Sequence, residues 1–283
     1  MTRHTRWITA LGLLLSSMLP AAAVAGFDAE TRAAVKAAIA GEHRSDENKA
    51  RDRYRKPAET LEFLGFDSEM TVVEVWPGRG WYTEILAPAL KDKGKLYAAQ
   101  FSVNAPYGFI RRAYGDFLNL IGAKPEIYRG VTVTSLYPPF EMQAAPPESA
   151  DLVLTFRNVH NWVGNLFGKG RYADMYFDAM YAALKPGGVL GIVDHRWPDS
   201  DNEDPLSANG YISVERTRRL AEAAGFEFVD QSNILRNPRD NHEHPRGVWT
   251  LPPSYALGDE DREAWTAIGE SDRYLLKFRR PAK

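Results

Sequence analysis

Apolar and polar residues follow two different spacings along this chain, and the change between them locates its strands and helices. From Met70 onward, short runs of β-branched and aromatic residues alternate with longer stretches in which apolar residues recur every three or four positions. The short runs are typical of strands and the longer stretches of helices. We predict strands at residues 71–75, 95–99, 131–136, 151–156, 189–194, 226–230 and 273–279, and helices at residues 81–90, 109–121, 172–184 and 213–224.

The order of these elements predicts the fold class. Strands that alternate with helices are typical of a parallel sheet joined by right-handed crossovers, with helices on both faces. In the last strand Tyr274, Leu276 and Phe278 alternate with other residues, which favours an antiparallel strand at the sheet edge. The sequence therefore predicts one α/β domain at residues 67–283.

Two further segments do not follow this alternation. Residues 26–66 are predicted to form a helical extension, in which Pro57 begins a helix whose Leu61 and Leu64 would pack on the domain. Residues 231–271 are rich in Pro, Asn, Asp and His. This segment is too long for an ordinary connection, which favours a functional loop over a second domain.

Residues 1–25 have the three parts of a secretory signal peptide. Arg3 and Arg6 precede an apolar stretch that is shorter than the about 20 residues of a spanning helix, and Ala23 and Ala25 form the A-x-A pattern of a cleavage site. We predict cleavage after Ala25 and a periplasmic or secreted protein without a stable membrane anchor. The alternative is an uncleaved anchor, which Pro20 argues against because it breaks the apolar stretch.

Composition excludes several classes of function. The chain has no cysteine, which rules out thiolate catalysis, cysteine-ligated zinc, iron–sulfur clusters and disulfides. Without Arg3 and Arg6, 33 of the 35 basic residues remain against 37 acidic ones, a net charge of −4. This balance does not favour nucleic acid as a partner.

A glycine-containing turn after the first predicted strand is the main candidate binding site. Glu74 lies near the end of the strand, and Gly78 and Gly80 follow in the turn. Glycines allow the backbone to approach a ligand closely, and a carboxylate at the strand end can accept hydrogen bonds from it. The alternative role of Glu74 is to cap the loop. The chain has neither a G-x-S-x-G nor a P-loop motif, so the sequence does not favour a serine hydrolase or a P-loop nucleotidase.

Two motifs resemble those of class I S-adenosylmethionine-dependent methyltransferases. Their cofactor loop is similar to residues 74–80, EVWPGRG, and the turn before their fifth strand is similar to residues 184–188, LKPGG. Residues 194–196, DHR, and 272–279, DRYLLKFR, are similar to segments of a family of predicted exported (periplasmic) methyltransferases. The resemblance implies a Rossmann-like sheet of seven strands, the last antiparallel, with S-adenosylmethionine over the carboxyl ends of the first strands.

Carried over by position, the resemblance assigns cofactor binding to Glu74 and to the two loop glycines. Two positions depart from the family pattern. Trp76 stands where the family has its first glycine, so we expect an ordinary φ there or a loop of different shape. Gln100 stands where an acidic residue usually binds the ribose hydroxyls, and an amide can bind a diol without charge assistance. The candidate cofactor-binding residues are Glu74, Trp76, Gly78, Gly80, Gln100 and Asn158.

Two histidines follow neighbouring strands of the predicted sheet. His160 comes after the fourth strand and His195 after the fifth, so we expect both at one cavity on the carboxyl edge. A positioned histidine that accepts the acceptor's proton would accelerate transfer about 10²- to 10⁴-fold. These are our candidate catalytic residues, and the alternative is that they only cap loops. Trp162, Arg236 and Asp240 are the candidate substrate-binding residues, and the alternative for Arg236 and Asp240 is a salt-bridged loop without contact to a ligand.

The long loop also contains His242 and His244, which could join Asp194 and His195 in a metal site. An H-x-H pair on a polar loop is usually solvated, and the helical H-E-x-x-H spacing is absent. We therefore predict no metal ligands.

Two functions fit these observations. The first is an S-adenosylmethionine-dependent methyltransferase that acts on a small molecule or an envelope component. The second is an exported binding or sensing protein that keeps this fold without its chemistry, because a fold does not determine a function. Glu74 and the loop glycines favour the first, whereas Trp76 and Gln100 favour the second.

Overall fold

The computed structural model describes residues 26–90, 93–164 and 171–282. The predicted signal peptide lies outside the described residues. Within these ranges, no helix has both the length and the apolar character needed to cross a membrane.

A mixed sheet forms the centre of the fold, with nine strands in the described part of the chain. They are β1 (Thr71–Val75), β2 (Lys95–Gln100), β3 (Val131–Tyr137), β4 (Glu141–Gln143), β5 (Ala150–Phe156), β6 (Leu184–Trp197), β7 (Ile212–Ser213), β8 (Glu227–Ser232) and β9 (Arg273–Arg279). The order across the sheet is β4-β3-β2-β1-β5-β6-β9-β8, and β7 pairs with the end of β6. Strands β1, β2, β3, β5 and β6 are parallel, so their carboxyl ends share one edge.

All seven predicted strands are present, and the two short strands β4 and β7 were not predicted. The antiparallel direction of the last strand is confirmed, but its predicted place at the edge is wrong. Strand β9 lies between β6 and β8 and is antiparallel to both. Its side chains are buried on both faces: Tyr274 and Leu276 belong to one core and Leu275 to the other. An alternating pattern alone therefore did not distinguish this central strand from an edge strand.

Helices cover both faces of the sheet. They are α1 (Ala29–Ala40), α2 (Asp46–Ala50), α3 (Asp52–Arg55), α4 (Pro57–Leu64), α5 (Thr83–Leu90), α6 (Gly108–Ala123), α7 (Pro125–Tyr128), α8 (Val159–Val163), α9 (Ala173–Ala183), α10 (Val214–Ala223) and α11 (Arg262–Ile268). Alternate strand residues point to opposite faces, so Val73 joins the core under α8, α9 and α10, while Val72 joins the core under α1, α4 and α5.

The amino-terminal extension packs directly on the domain. Leu61 and Leu64 of α4 are fully buried. Gly191 of β6 makes this packing possible, because a Cβ atom there would lie 2.6 Å from Leu64. Helices α2 and α3 precede α4 and bring Arg51 and Arg55 to the carboxyl edge of the sheet.

Candidate functional site

A cavity of about 700 Å³ opens at the carboxyl edge of the parallel strands. Its walls come from the loops after β1 and β5, the end of β6, the start of β9, the amino-terminal extension and the long loop. This volume suits a small molecule. Six of the residues predicted for the site line it: Glu74, Trp76, Gly78, Asn158, His160 and His195.

Glu74 contributes a buried carboxyl group to this cavity. It is 2% exposed, and Thr83 of α5 donates a hydrogen bond to its Oε2 atom at 2.6 Å. Burial raises the pKa of Glu74 to about 8, and the Thr83 hydrogen bond opposes that rise only in part. The side chain is therefore largely protonated at neutral pH, and a cationic ligand would favour its ionised form.

The two loop glycines have different roles. Gly78 has φ +61°, and a Cβ atom placed on it would meet no atom within 4 Å, so its backbone is open to the cavity. Gly80 has φ +88°, and a Cβ atom there would lie 2.5 Å from Leu120 of α6. Gly80 therefore allows close helix packing and does not line the cavity.

Trp76 adopts a glycine-like backbone conformation, with φ +52°. Of the two alternatives expected here, an ordinary φ or a loop of different shape, the ordinary φ is wrong. A left-handed conformation costs a non-glycine residue about 1–2 kcal/mol. The buried indole makes compensating contacts: its Nε1 donates to the Leu136 carbonyl at 2.7 Å, and its ring packs on Phe101, Trp162 and Tyr176.

The side-chain amides of Gln100 and Asn158 both donate hydrogen bonds to backbone carbonyls in or beside the glycine loop. The Gln100 Nε2 atom donates to the Gly78 carbonyl at 2.9 Å, and its Oε1 atom accepts from the Phe101 amide. Gln100 is fully buried and lies outside the cavity lining. Asn158 donates to the Val75 carbonyl at 3.0 Å and still reaches the cavity. The assignment of Gln100 to ribose binding stays a prediction, and its present hydrogen bonds do not favour it.

A buried aspartate holds His160 in one orientation. Asp194 lies in β6 and is fully buried, and His160 Nδ1 donates to its Oδ1 atom at 2.7 Å. The backbone amides of His160 and His195 also donate to this carboxylate. A carboxylate only accepts, so the proton is on Nδ1 and the Nε2 atom of His160 is a proton acceptor.

His195 lies beside His160, with ring centroids 5.2 Å apart. Its Nδ1 atom hydrogen-bonds Ser271 Oγ. Burial lowers the pKa of His195 well below its usual value, and the nearby His160 and Arg273 lower it further. His195 is therefore neutral at pH 7.

The structure places the three candidate substrate-binding residues outside the cavity lining. Trp162 is fully buried and stacks on Tyr176 at a ring distance of 4.4 Å. Arg236 pairs with Asp272 at 3.2 Å and lines a separate pocket. Asp240 is buried and accepts hydrogen bonds from neighbouring loop groups. These contacts are internal to the protein, so this geometry gives the three assignments no support.

Besides Arg79 of the glycine loop, four arginines line the cavity: Arg51, Arg55, Arg157 and Arg273. We call them the arginine cluster. Three of them share the carboxylate of Glu270, with Arg51 Nε at 2.6 Å from Oε1 and Arg55 Nε at 3.3 Å from Oε2. Burial opposes ionisation of Glu270, but the arginines outweigh it and lower its pKa. Sequence reasoning missed this cluster, although Arg157 follows the same strand as His160 and could have been found by the same rule.

No protein-family model matches the sequence, and neither does any curated protein. Solved structures do match. A S-adenosylmethionine-dependent methyltransferase from Aquifex aeolicus aligns with a TM-score of 0.51 at 16% identity, over 82% of this chain and 93% of that protein. The [4+2]-cyclase SpnF aligns with a TM-score of 0.53 at 14% identity, over 90% and 94%. A candidate sarcosine dimethylglycine methyltransferase from Galdieria sulphuraria gives 0.51 at 15% identity, over 84% and 87%.

The chain has the class I methyltransferase fold. One of the three similar structures is named a cyclase, which agrees with the rule that a fold does not determine a reaction. The chemistry of this chain must therefore be argued from its own residues.

The site fits S-adenosylmethionine better at one end than at the other. A buried carboxyl at Glu74 and an open backbone at Gly78 suit a cationic amino-acid group. The nucleoside of S-adenosylmethionine would lie near Trp76, which follows β1. The Trp76 indole donates to the Leu136 carbonyl of β3 and packs on Phe101, which follows β2. The methyltransferase fold therefore carries a bulky side chain in the region where the resemblance places the cofactor.

A metal site can also be tested against the geometry. His160, Asp194 and His195 offer atoms within 4.8 Å of one another, and no other such group occurs among the described residues. Asp194 already accepts three N–H hydrogen bonds, and the arginine cluster makes the surroundings positive. His244 instead pairs with Asp240 at 2.7 Å. These features do not favour a cation.

Proposed function

We propose that the protein is an S-adenosylmethionine-dependent methyltransferase that acts on a small molecule or an envelope component. Glu74 carries this proposal. It is a buried carboxyl group with a raised pKa, it lies at the end of a strand, glycine-turn and helix unit, and no cation pairs with it within the described residues. A buried carboxyl group without a cation stays protonated, and a positively charged ligand group would favour its ionised form.

Four residues of the chain have separate roles in this reaction. S-adenosylmethionine, when bound, supplies a methyl group on a positively charged sulfur. Glu74 would accept hydrogen bonds from the ammonium of its methionine end, and the Gly78 backbone would lie against it. The Nε2 atom of His160 accepts a proton from the methyl acceptor, while Asp194 holds the other ring nitrogen and stabilises the imidazolium that forms.

Calorimetric titration of residues 26–283 with S-adenosylmethionine and S-adenosylhomocysteine tests the proposal. We expect both to bind with a 1:1 stoichiometry. Absence of binding of either at millimolar concentration would refute it.

The second candidate function is a binding or sensing protein without methyl transfer. Trp76 favours it, because its indole lies over the carboxyl end of β2 and is held there by the Leu136 carbonyl. The variant Trp76→Gly separates the two functions, since glycine suits φ +52° and empties this region. Binding by the wild type supports the methyltransferase. Binding by Trp76→Gly alone supports the second function.

The export prediction is part of this proposal. Cleavage after Ala25 would leave Gly26 as the first residue. Mass spectrometry of the protein from its native host is expected to give that terminus in the periplasmic or secreted fraction. An intact Met1 in most of the protein would contradict export.

A further inference from the structure

The arginine cluster has more positive charge than its own surroundings neutralise. Its four guanidinium groups face two carboxylates: Glu270, which three of them share, and Asp194, which His160 already binds. The third nearby acid, Glu74, has a pKa raised to about 8 by burial and is mostly neutral at pH 7. The cavity wall therefore has an excess of about two positive charges.

Several N–H groups of the cluster also lack acceptors. Within the described residues, Arg51 Nη2, Arg55 Nη2 and Arg273 Nε are buried without a hydrogen-bond partner. The side chains of Arg55 and Arg273 are only 5% and 3% exposed. A buried donor without an acceptor costs about 1–3 kcal/mol, and more when it is charged. A purely structural ion-pair network would leave fewer donors unused.

Arg157 is the member of the cluster with no structural partner. Its guanidinium makes no hydrogen bond or ion pair with any described residue, although it is half-buried at the cavity. Burial and the neighbouring Arg273 lower its pKa to about 10, so it is still charged at neutral pH. Glu270 binds the other three arginines, whereas Arg157 is open to a ligand.

Part of the cavity wall is apolar. Val248, Trp249, Pro252 and Pro253 of the long loop line it, and the Trp249 ring lies 6.2 Å from the His160 ring. A guanidinium fork matches the two oxygens of a carboxylate or phosphate, and the apolar wall suits a hydrophobic body.

We propose that the cavity binds a small apolar molecule that carries an oxyanion, a carboxylate or a phosphate, and that Arg157 with Arg51, Arg55 and Arg273 binds this oxyanion. The oxyanion site itself is independent of the cofactor, but its assignment to the methyl acceptor rests on the proposed function. The carboxylate of the cofactor's methionine end is the competing occupant, and the experiment distinguishes the two.

Thermal unfolding of residues 26–283 with three probes tests the site. Benzoate and inorganic phosphate carry the oxyanion, and benzamide matches benzoate in shape without its charge. At 10 mM probe and constant ionic strength we expect benzoate or phosphate to raise Tm by about 2–4 °C, with no rise for benzamide. A flat response to both anions would overturn the proposal.

The variant Arg157→Gln identifies the arginine responsible. We expect it to weaken anion binding at least tenfold and to raise Tm without ligand, because it removes an unpaired, half-buried cation. If the cluster is only structural, the same variant lowers Tm and leaves anion binding unchanged, which refutes the site. Arg79→Gln is the matched control, since Arg79 lines the same cavity but is 74% exposed and paired with Asp116. It is expected to retain binding within twofold.

Titration of the better anion into protein saturated with S-adenosylhomocysteine assigns the occupant. Undiminished binding supports a substrate oxyanion, whereas competition overturns the substrate assignment. If S-adenosylhomocysteine does not bind, the proposed function has failed, and the Tm results alone decide whether the oxyanion site exists.

Discussion

The two sides of the cavity suit ligand groups of opposite charge. One side is formed by residues close together in the sequence, and the other by residues far apart. On one side, Glu74 and Gly78 belong to a single seven-residue loop motif and present a carboxyl group without a cation. On the other side, the arginine cluster is assembled from segments far apart, with Arg51 and Glu270 separated by 219 positions, and it presents cations in excess. One side of the cavity is thus suited to a positive ligand group and the other to a negative one.

This difference predicts that removal of the two carboxyl groups, Glu270 in the arginine cluster and Glu74 near the glycine loop, changes stability in opposite directions. The largest effect is expected for Glu270→Ala, because it leaves Arg51, Arg55 and Arg273 without their shared carboxylate. Breaking a buried ion pair in this way costs about 3–5 kcal/mol. Urea unfolding at pH 7 measures the loss, and a change under about 1 kcal/mol would show that water, rather than Glu270, stabilises the cluster.

Glu74 and Glu270 are also expected to change the stability of the protein with pH in opposite directions. The pKa of Glu74 is raised from 4.5 to about 8, so the folded state holds a proton that the unfolded state has released. The contribution of Glu74 to the free energy of unfolding is complete below pH 4.5 and is lost as pH rises towards 8. The pKa of Glu270 is lowered, so its contribution is present above pH 4.5 and is lost as pH falls.

The variant Glu74→Gln therefore should flatten the decline in stability between pH 5 and pH 8. A pKa unit corresponds to about 1.4 kcal/mol, so the expected gain over wild type at pH 8 is on the order of a few kcal/mol, with little difference at pH 5. Urea unfolding series at both pH values measure it. Parallel curves for the two proteins would mean that Glu74 is already ionised in the fold.

Cofactor binding gives the next largest effect. Hydrogen bonds to charged groups contribute about 1.5–3 kcal/mol, so Glu74→Ala is expected to weaken S-adenosylmethionine binding roughly ten- to a hundredfold. A nearly equal loss in Glu74→Gln would identify charge as the main contribution. Calorimetry on the two variants measures both. Unchanged affinity in Glu74→Ala would place the cofactor elsewhere.

The smallest effect is expected at the glycines. Gly78→Ala places a side chain at φ +61° and should cost about 1 kcal/mol or more, whereas Gly115→Ala in the interior of α6 should stabilise by about 0.5–1 kcal/mol. Neither added methyl group meets an atom within 4 Å, so the two differ in backbone conformation alone. Equal stabilities would contradict the left-handed geometry of the loop.

The same division explains what could be predicted from the sequence. The strand, turn and helix around Glu74 are local, and their residue pattern predicted both the sheet and this half of the site. The conformation of Trp76 depends on a carbonyl at Leu136 and on aromatic rings from other elements, which no local pattern reports. The arginine cluster likewise depends on contacts between distant segments. The only local sign of a polar site where β9 begins is the charged run at residues 270–273.

The position of β9 between β6 and β8 also determines the order in which the strands of the sheet can pair. Strand β8 pairs only with β9 in the described part of the chain, and β9 is made after it. A chain that emerges amino terminus first therefore carries residues 227–232 as an unpaired segment until residues 273–279 insert beside β6. Arg273 arrives in the same step. Closing of the sheet and completion of the oxyanion site are then one event, so a nascent chain offers no finished binding site before its last strand is in place.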